Sequence, residues 1–310
     1  MDALVTIVGL VALMIGAEVL VRGAVALAFR ARISPLVVGL TIVSMGTSMP
    51  ELLVSLLAAT KGSSMVAIGN VVGSNIINIS FILGASIVIF PIEVDRDSYR
   101  IHWPVMMAAS VASVLLLWDD LFSRWEGIGC VLLLVTYVWA MVRASRKKSS
   151  VEGTPPSMDA LPVGKSLLML AFGAAALALG ADRFVEGSVG LARQFGVSEQ
   201  MIGLTVVAVG TSLPELITSL MAAFRKQPDI SLGNLIGSNI FNLFGIIGVT
   251  AVIHPIHLDH TSFLADLAAM LLTALVLYPL MRIGSKLGRW QGVILLLCYL
   301  TYILFVVQRG

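Results

Sequence analysis

Apolar residues run along this chain in blocks of about twenty, the length an α-helix needs to cross the hydrocarbon core of a bilayer. Short polar breaks separate the blocks and carry most of the charge. The pattern predicts ten helices, over 3–28, 34–60, 65–90, 102–118, 126–142, 164–190, 198–223, 230–253, 263–281 and 289–307. Two of these spans are interrupted near their middles by a proline followed directly by a glutamate, Pro50–Glu51 and Pro214–Glu215. Pro50 has no N–H, so the Gly46 carbonyl loses its partner and the ring displaces the preceding turn. Thr47 and Ser48 are then predicted to cap a resumed helix with Pro50 and Glu51 in its first turn. There the helix dipole favours an ionised carboxylate. Each interrupted span is expected to be two half-helices meeting inside the bilayer, which is tolerable only where the break lines a cavity or is buried in protein.

The interruptions belong to a longer repeat. "GTSMPELLVS" at 46–55 returns as "GTSLPELITS" at 210–219, and "GNVVGSNIIN" at 69–78 returns as "GNLIGSNIFN" at 233–242. Between 46–78 and 210–242, seventeen of thirty-three positions are identical without a gap. The offset of 164 also pairs Gly16 with Gly180, Glu18 with Asp182, Pro91 with Pro255 and Asp95 with Asp259. Each half holds five spans, an odd number, so the second half must enter the membrane from the opposite side. The fold class expected is therefore an all-α polytopic membrane protein: ten transmembrane helices in two inverted five-helix repeats with broken core helices. Inverted repeats of this kind are typical of secondary transporters, which bind their cargo near the midplane. The halves are 1–142 and 164–310, joined by a linker at 143–163.

Charge selects an orientation. Fourteen Lys and Arg residues, from Arg30 and Arg32 through Arg143, Arg146, Lys147 and Lys148 to Arg289, fall in one set of loops. Only Lys61, Arg124, Arg193 and Arg309 fall in the other. The positive-inside bias places the 143–163 loop in the cytoplasm and both termini outside. That loop, basic and then rich in Ser, Pro and Gly, is long enough to connect the halves but too short for a regulatory domain. The N-terminal block has no basic n-region and no small-residue cleavage pattern, and reads as a retained first span.

Composition agrees with a membrane protein: 58% of residues are hydrophobic and 12% charged, against about 25% charged in soluble domains. Cys130 and Cys298 each sit inside an apolar block and read as packing residues, without disulfide or metal spacing. Glu18 and Arg22 lie one helical turn apart, as do Asp182 and Glu186, and read as a local ion pair or a water-facing edge. His102 and Asp266 hold matching positions near helix ends and are expected at the interface. Trp103, Trp118, Trp125, Tyr278 and Trp290 fall near span ends, as an aromatic belt would.

The chemistry lies in the two motifs and the spans that follow them. Asn70, Ser74 and Asn78 lie at i, i+4 and i+8, one polar stripe on a helix, and Asn234, Ser238 and Asn242 repeat it. Gly69, Gly73, Gly233 and Gly237 interleave with the stripes and permit close packing. Together the repeats offer two carboxylates, hydroxyls, amide oxygens and freed carbonyls, all hard oxygen ligands, with no His or Cys in either motif. Such sets suit Ca²⁺, Mg²⁺, Mn²⁺ or Na⁺ rather than zinc or copper. A kink held by interhelical hydrogen bonds would account for the Gly and Ser, and can extend to the Asn, but not for two glutamates, each costing about 3 kcal/mol in mid-membrane.

At these residues the chain resembles the calcium/cation antiporter superfamily, and within it the prokaryotic sodium/calcium exchangers. The likeness covers the 5+5 arrangement along nearly the whole chain. It implies a diamond of spans 2, 3, 7 and 8 around the ions, with spans 1 and 6 lying across the bundle and sliding during alternating access. By position it implies Glu51 and Glu215 as shared Ca²⁺/Na⁺ ligands, with Thr47, Ser48, Thr211 and Ser212 supplying hydroxyls or carbonyls. It further implies Ser74 and Ser238 at flanking Na⁺ sites, Asn78 and Asn242 in the central region, and backbone carbonyls at Ser44 and Ala208. Some archaeal relatives and the potassium-dependent exchangers carry Asp where this chain has Asn242. The amide argues against potassium dependence and leaves proton coupling to the two glutamates.

The expected activity is exchange of Ca²⁺ for Na⁺ across a prokaryotic plasma membrane, without a cofactor. The expected partners are these ions and the lipid bilayer, with no nucleic acid and no obligate protein partner. The alternatives are a proton-coupled antiporter of Ca²⁺ or another divalent cation, and a passive cation channel. An intramembrane aspartyl protease needs a close acid pair sharing a proton. Glutamates in separate half-helices opposite asparagine stripes fit that poorly.

Overall fold

A computed structural model describes residues 1–151, 161–196, 208–257, 260–283 and 286–309. Eleven helices organise them: α1 (Asp2–Ala31), α2 (Pro35–Thr47), α3 (Met49–Thr60), α4 (Ser64–Ile89), α5 (Trp103–Leu116) and α6 (Arg124–Val151), then α7 (Val163–Gln194), α8 (Leu213–Phe224), α9 (Pro228–Ile253), α10 (Leu264–Arg282) and α11 (Arg289–Arg309). Among the described residues seven helices are long and apolar enough to cross a membrane, eight when α2 and α3 count as one span. The remaining two expected spans are shorter here. The fourth is α5, 14 residues entered through a π turn at Ser98–His102. The seventh is α8 with a short turn at Ala208–Gly210 before it, and its predicted start lies outside the described residues. Residues 152–160 of the predicted linker also lie outside them, and the helix of span five continues through Val151 into the basic stretch.

Local sequence sets several helix ends. The Ser34 hydroxyl accepts the Val37 N–H at 3.3 Å, and Pro35 opens α2 where a missing N–H costs nothing. At α6, Ser123 and Glu126 cap one another reciprocally, N–H to Oε2 at 2.6 Å and N–H to Oγ at 3.4 Å. The break between α2 and α3 falls on Ser48, and the axis bends there by 46°.

The described chain divides into two compact units, Met1–Pro50 with Met141–Asn234, and Glu51–Ala140 with Leu235–Gly310. Each draws on both sequence repeats. In the first unit α1 and α7 pack along their lengths. A Cβ on Gly9 would lie 2.8 Å from the Gly180 carbonyl, and one on Gly16 3.0 Å from the Gly173 carbonyl, so only glycine permits this approach. Contacts descend on α7 as they rise on α1, from Gly9–Phe184 to Gly23–Leu170, so the helices are antiparallel. They also exchange under the 164-residue offset. Gly9 meets Gly180 and Gly173 meets Gly16, the self-complementary pattern of a two-fold axis. Leu13, Ala17, Leu20 and Leu177 fill the core around them. Glu18 makes the predicted pair with Arg22, and its carboxylate also receives Arg225 just past α8, Nε to Oε2 at 2.8 Å. Arg183 bonds Glu186 at 2.6 Å.

The second unit repeats the close-packing device: Gly84 sits against the Gly292 carbonyl, and Gly127 against that of Gly248. Two-residue strands close its ends, Ile92–Glu93 antiparallel to Lys286–Leu287, and Leu121–Phe122 antiparallel to Ile256–His257. His102 is buried, and its ring nitrogen meets the Tyr137 hydroxyl at 2.9 Å. Asp266 accepts from Tyr302 at 2.8 Å. Trp118, Trp125 and Trp290 are exposed, as a belt requires, whereas Trp103 packs on Tyr278 and donates to the Ala274 carbonyl at 2.7 Å.

Candidate ion-transport site

The first unit holds the end of α2, all of α8 and the start of α9. Pro214 stands at the opening of α8 and Glu215 in its first turn, where unpaired N–H groups and the helix dipole stabilise an anion. The glutamate is fully buried. Its Oε1 accepts a hydrogen bond from the Ser48 hydroxyl at 2.7 Å, joining the break of the first motif to the acid of the second. Thr47 lies alongside, its hydroxyl shared between the Ser44 carbonyl at 3.2 Å and Asn234 Oδ1 at 3.1 Å. The Asn234 amide then donates to Ser219 on α8 at 3.1 Å.

Ser48 directs its hydroxyl proton to Glu215, a bond compatible with its oxygen accepting an N–H, while Ser212, at the N-cap of α8, makes no side-chain cap bond. The Ser44 carbonyl accepts both Thr47 and the Ser48 N–H, the latter at 3.0 Å, so both its lone pairs are engaged. Thr211 and Ser212 lie immediately before α8, Ser212 buried. Ala208 opens the Ala208–Gly210 turn.

The second unit holds α3, α4 and the remainder of α9. Glu51, the repeat counterpart of Glu215, is likewise fully buried in the first turn of its half-helix. Asn70 donates to the Glu51 backbone carbonyl at 3.1 Å and to the Ser55 hydroxyl at 2.9 Å, and Ser55 continues to the Ala67 carbonyl at 3.2 Å. Asn70–Ser55 and Asn234–Ser219 are the same contact in the two repeats. Each ties a glutamate-bearing half-helix to the helix that follows. The first amide of each stripe is therefore a brace.

Deeper along the stripes, Ser74, Asn78, Ser238 and Asn242 are all buried. Asn78 and Asn242 each lie in a π turn, Ile77–Leu83 in α4 and Phe241–Ile246 in α9. A π turn leaves the i→i−4 ladder and re-aims its side chains, and such turns gather at functional sites. Both amide atoms of Asn78, and Oδ1 of Asn242, have no hydrogen-bond partner among the described residues. A buried amide left so carries a desolvation cost that a cation would relieve at the oxygen. Sequence periodicity missed Asn75 and Asn239, which lie off the i, i+4 stripe. Asn242 Nδ2 donates to Asn75 Oδ1 at 3.3 Å. Their signal was an amide in an apolar run, repeated at the same offset. No group of three or more His, Cys, Asp or Glu occurs among the described residues, so the polar surface is one of hydroxyls, amides and two separate carboxylates.

The sodium/calcium exchanger protein family model matches residues 1–143 and 165–308. The chain belongs to that family. Its members are membrane ion exchangers, not enzymes, and both motif copies lie within the match. The chain is 36% identical over 308 residues to the putative antiporter CaxA of Alkalimonas amylolytica, covering 96% of this chain and 95% of that one. It is 30% identical to the sodium/calcium exchanger MaX1 of Methanosarcina acetivorans, covering 97% of each. Among solved structures, the sodium-calcium exchanger NCX_Mj soaked with zero Na⁺ and Ca²⁺ superposes with a TM-score of 0.84 at 32% identity, over 98% of each chain.

Proposed function

We propose that this exchanger moves Ca²⁺ against Na⁺ by alternating access, with Glu51 and Glu215 serving one midplane site that either ion can fill. The observation that carries the reading is the Ser48–Glu215 bond, which brings the first motif's hydroxyl onto the second motif's buried acid. Two ionised glutamates balance one Ca²⁺, and the surrounding oxygens can supply the flexible six-to-eight coordination that Ca²⁺ takes. Ca²⁺ and Na⁺ then compete for the same charge, so binding of one expels the other. Coupling follows from that competition together with a site that changes faces only when an ion fills it.

Thr47, Ser48, Thr211, Ser212, Ser74, Ser238, Asn78 and Asn242 complete the ligand set in this reading. Ala208 would offer its carbonyl. The Ser44 carbonyl is the weakest member, because an ion there must displace Thr47 or the Ser48 N–H. The exchange-symmetric contact of antiparallel α1 and α7 supports ten spans in two inverted repeats, 1–142 and 164–310, since a two-fold relating antiparallel spans lies in the membrane plane. The uneven loop charge supports termini outside and the 143–163 loop in the cytoplasm of a prokaryote.

The test is uptake of ⁴⁵Ca²⁺ by proteoliposomes loaded with Na⁺ and diluted into Na⁺-free medium. Uptake should appear with the Na⁺ gradient and vanish when it is collapsed. Uptake that follows a pH gradient and ignores Na⁺ would replace Na⁺ by H⁺ as driver. Flux without countertransport would mean a channel.

A further inference from the structure

The amides around Asn242 form a chain whose direction is fixed at one end by a sulfur. Asn75 Nδ2 lies 3.8 Å from Met270 Sδ. A thioether can only accept, so this contact commits the NH₂ group of Asn75 to the sulfur and turns its oxygen the other way. That oxygen accepts Asn242 Nδ2 at 3.3 Å, which commits the NH₂ group of Asn242 in turn. Asn242 Oδ1 is left as a buried acceptor with no hydrogen-bond partner among the described residues. Met270 and Asn75 are 1% exposed and Asn242 is 0% exposed.

The same parts recur 164 residues away, with Met106, Asn239 and Asn78 in place of Met270, Asn75 and Asn242. Asn239 Nδ2 lies 3.7 Å from Met106 Sδ. The next link is absent on this side: Asn239 Oδ1 and both amide atoms of Asn78 have no hydrogen-bond partner among the described residues. One chain is closed and its counterpart is open.

We propose that Met270 and Asn75 are positioning residues that turn the Asn242 amide so that oxygen rather than NH₂ faces the transported cation. The proposal rests on the reading above, in which that amide is a ligand. An amide has a donor end and an acceptor end of nearly equal shape, and only the acceptor end attracts a cation. A buried asparagine ligand therefore needs something to choose its orientation, and a carboxylate ligand does not. The sulfur makes that choice without contributing a donor that could be passed along the chain in reverse.

The test uses the full-length protein in liposomes and the Ca²⁺ concentration for half-maximal uptake. Met270→Leu keeps the volume and removes the acceptor. It should raise that concentration by about threefold to tenfold, the scale of one intramembrane side-chain hydrogen bond, rather than lower the maximal rate. In an Asn242→Asp background both ligand atoms are oxygen, so Met270→Leu should no longer weaken Ca²⁺. An equal penalty in both backgrounds would reduce Met270 to packing and overturn the proposal, as would a silent Met270→Leu. If Met270→Leu is silent while Asn242→Ala weakens Ca²⁺, the relay fails and the site stands. If Asn242→Ala and Asn78→Ala are both silent, the ligand reading fails with it.

Discussion

The two copies of the motif agree at their first amide and disagree at their last. Asn70 braces Ser55 at 2.9 Å and Asn234 braces Ser219 at 3.1 Å, nearly the same bond at equivalent places. Asn242 is bonded to Asn75, whereas Asn78, its counterpart, has no partner among the described residues. Identical residues thus give identical geometry where they hold a half-helix to its neighbour, and different geometry where the ion is proposed to bind. A transporter built from inverted repeats needs both behaviours. Its scaffold must be the same from either side, and its site must differ between the two faces at any moment.

The largest effect should come from the acids. Glu215→Gln and Glu51→Gln should each lower Na⁺-driven Ca²⁺ uptake by at least about 100-fold, because either leaves a divalent ion in a dry site with one charge uncompensated. A large loss from one and a small loss from the other would break the equivalence of the copies. Next come the close-packed helices. Gly16→Ile and Gly180→Ile should each destabilise the protein by about 1–3 kcal/mol through overpacking, read as matched drops in melting temperature in detergent. The braces are smaller: Asn70→Leu and Asn234→Leu should each cost about 1 kcal/mol. Equal losses in thermal stability would confirm that both are structural, and a selective loss of Ca²⁺ affinity in one would make it a ligand. Glu18→Gln should have the smallest effect, below about fivefold on transport, because its pairs with Arg22 and Arg225 are part-exposed.

Much of this was legible in the sequence because it is written as pattern. Apolar block length gave the helices, and the 164-residue offset gave the duplication. The cost of Glu51 and Glu215 at mid-span marked them as buried and functional, and both are buried. What was hidden depends on partners far apart in the chain. Thr47 and Ser48 read locally as caps, and nothing local announces that their hydroxyls donate to Asn234 and Glu215. Glu18 read as the partner of Arg22 alone, since nothing local announces Arg225 more than two hundred residues away. The π turns at Ile77–Leu83 and Phe241–Ile246 escaped because period-3.6 reasoning assumes the ladder they break. Asn75 and Asn239 stand in regular α-helix just before those turns and were missed because they lie off the i, i+4 stripe.

The most direct test is equilibrium binding of ⁴⁵Ca²⁺ to the purified protein while Na⁺ is titrated. If Glu51 and Glu215 serve one shared site, Na⁺ displaces Ca²⁺ completely, and both Glu→Gln variants lose high-affinity Ca²⁺ binding together. Ca²⁺ that stays bound at saturating Na⁺, or that binds normally to either variant, would contradict it.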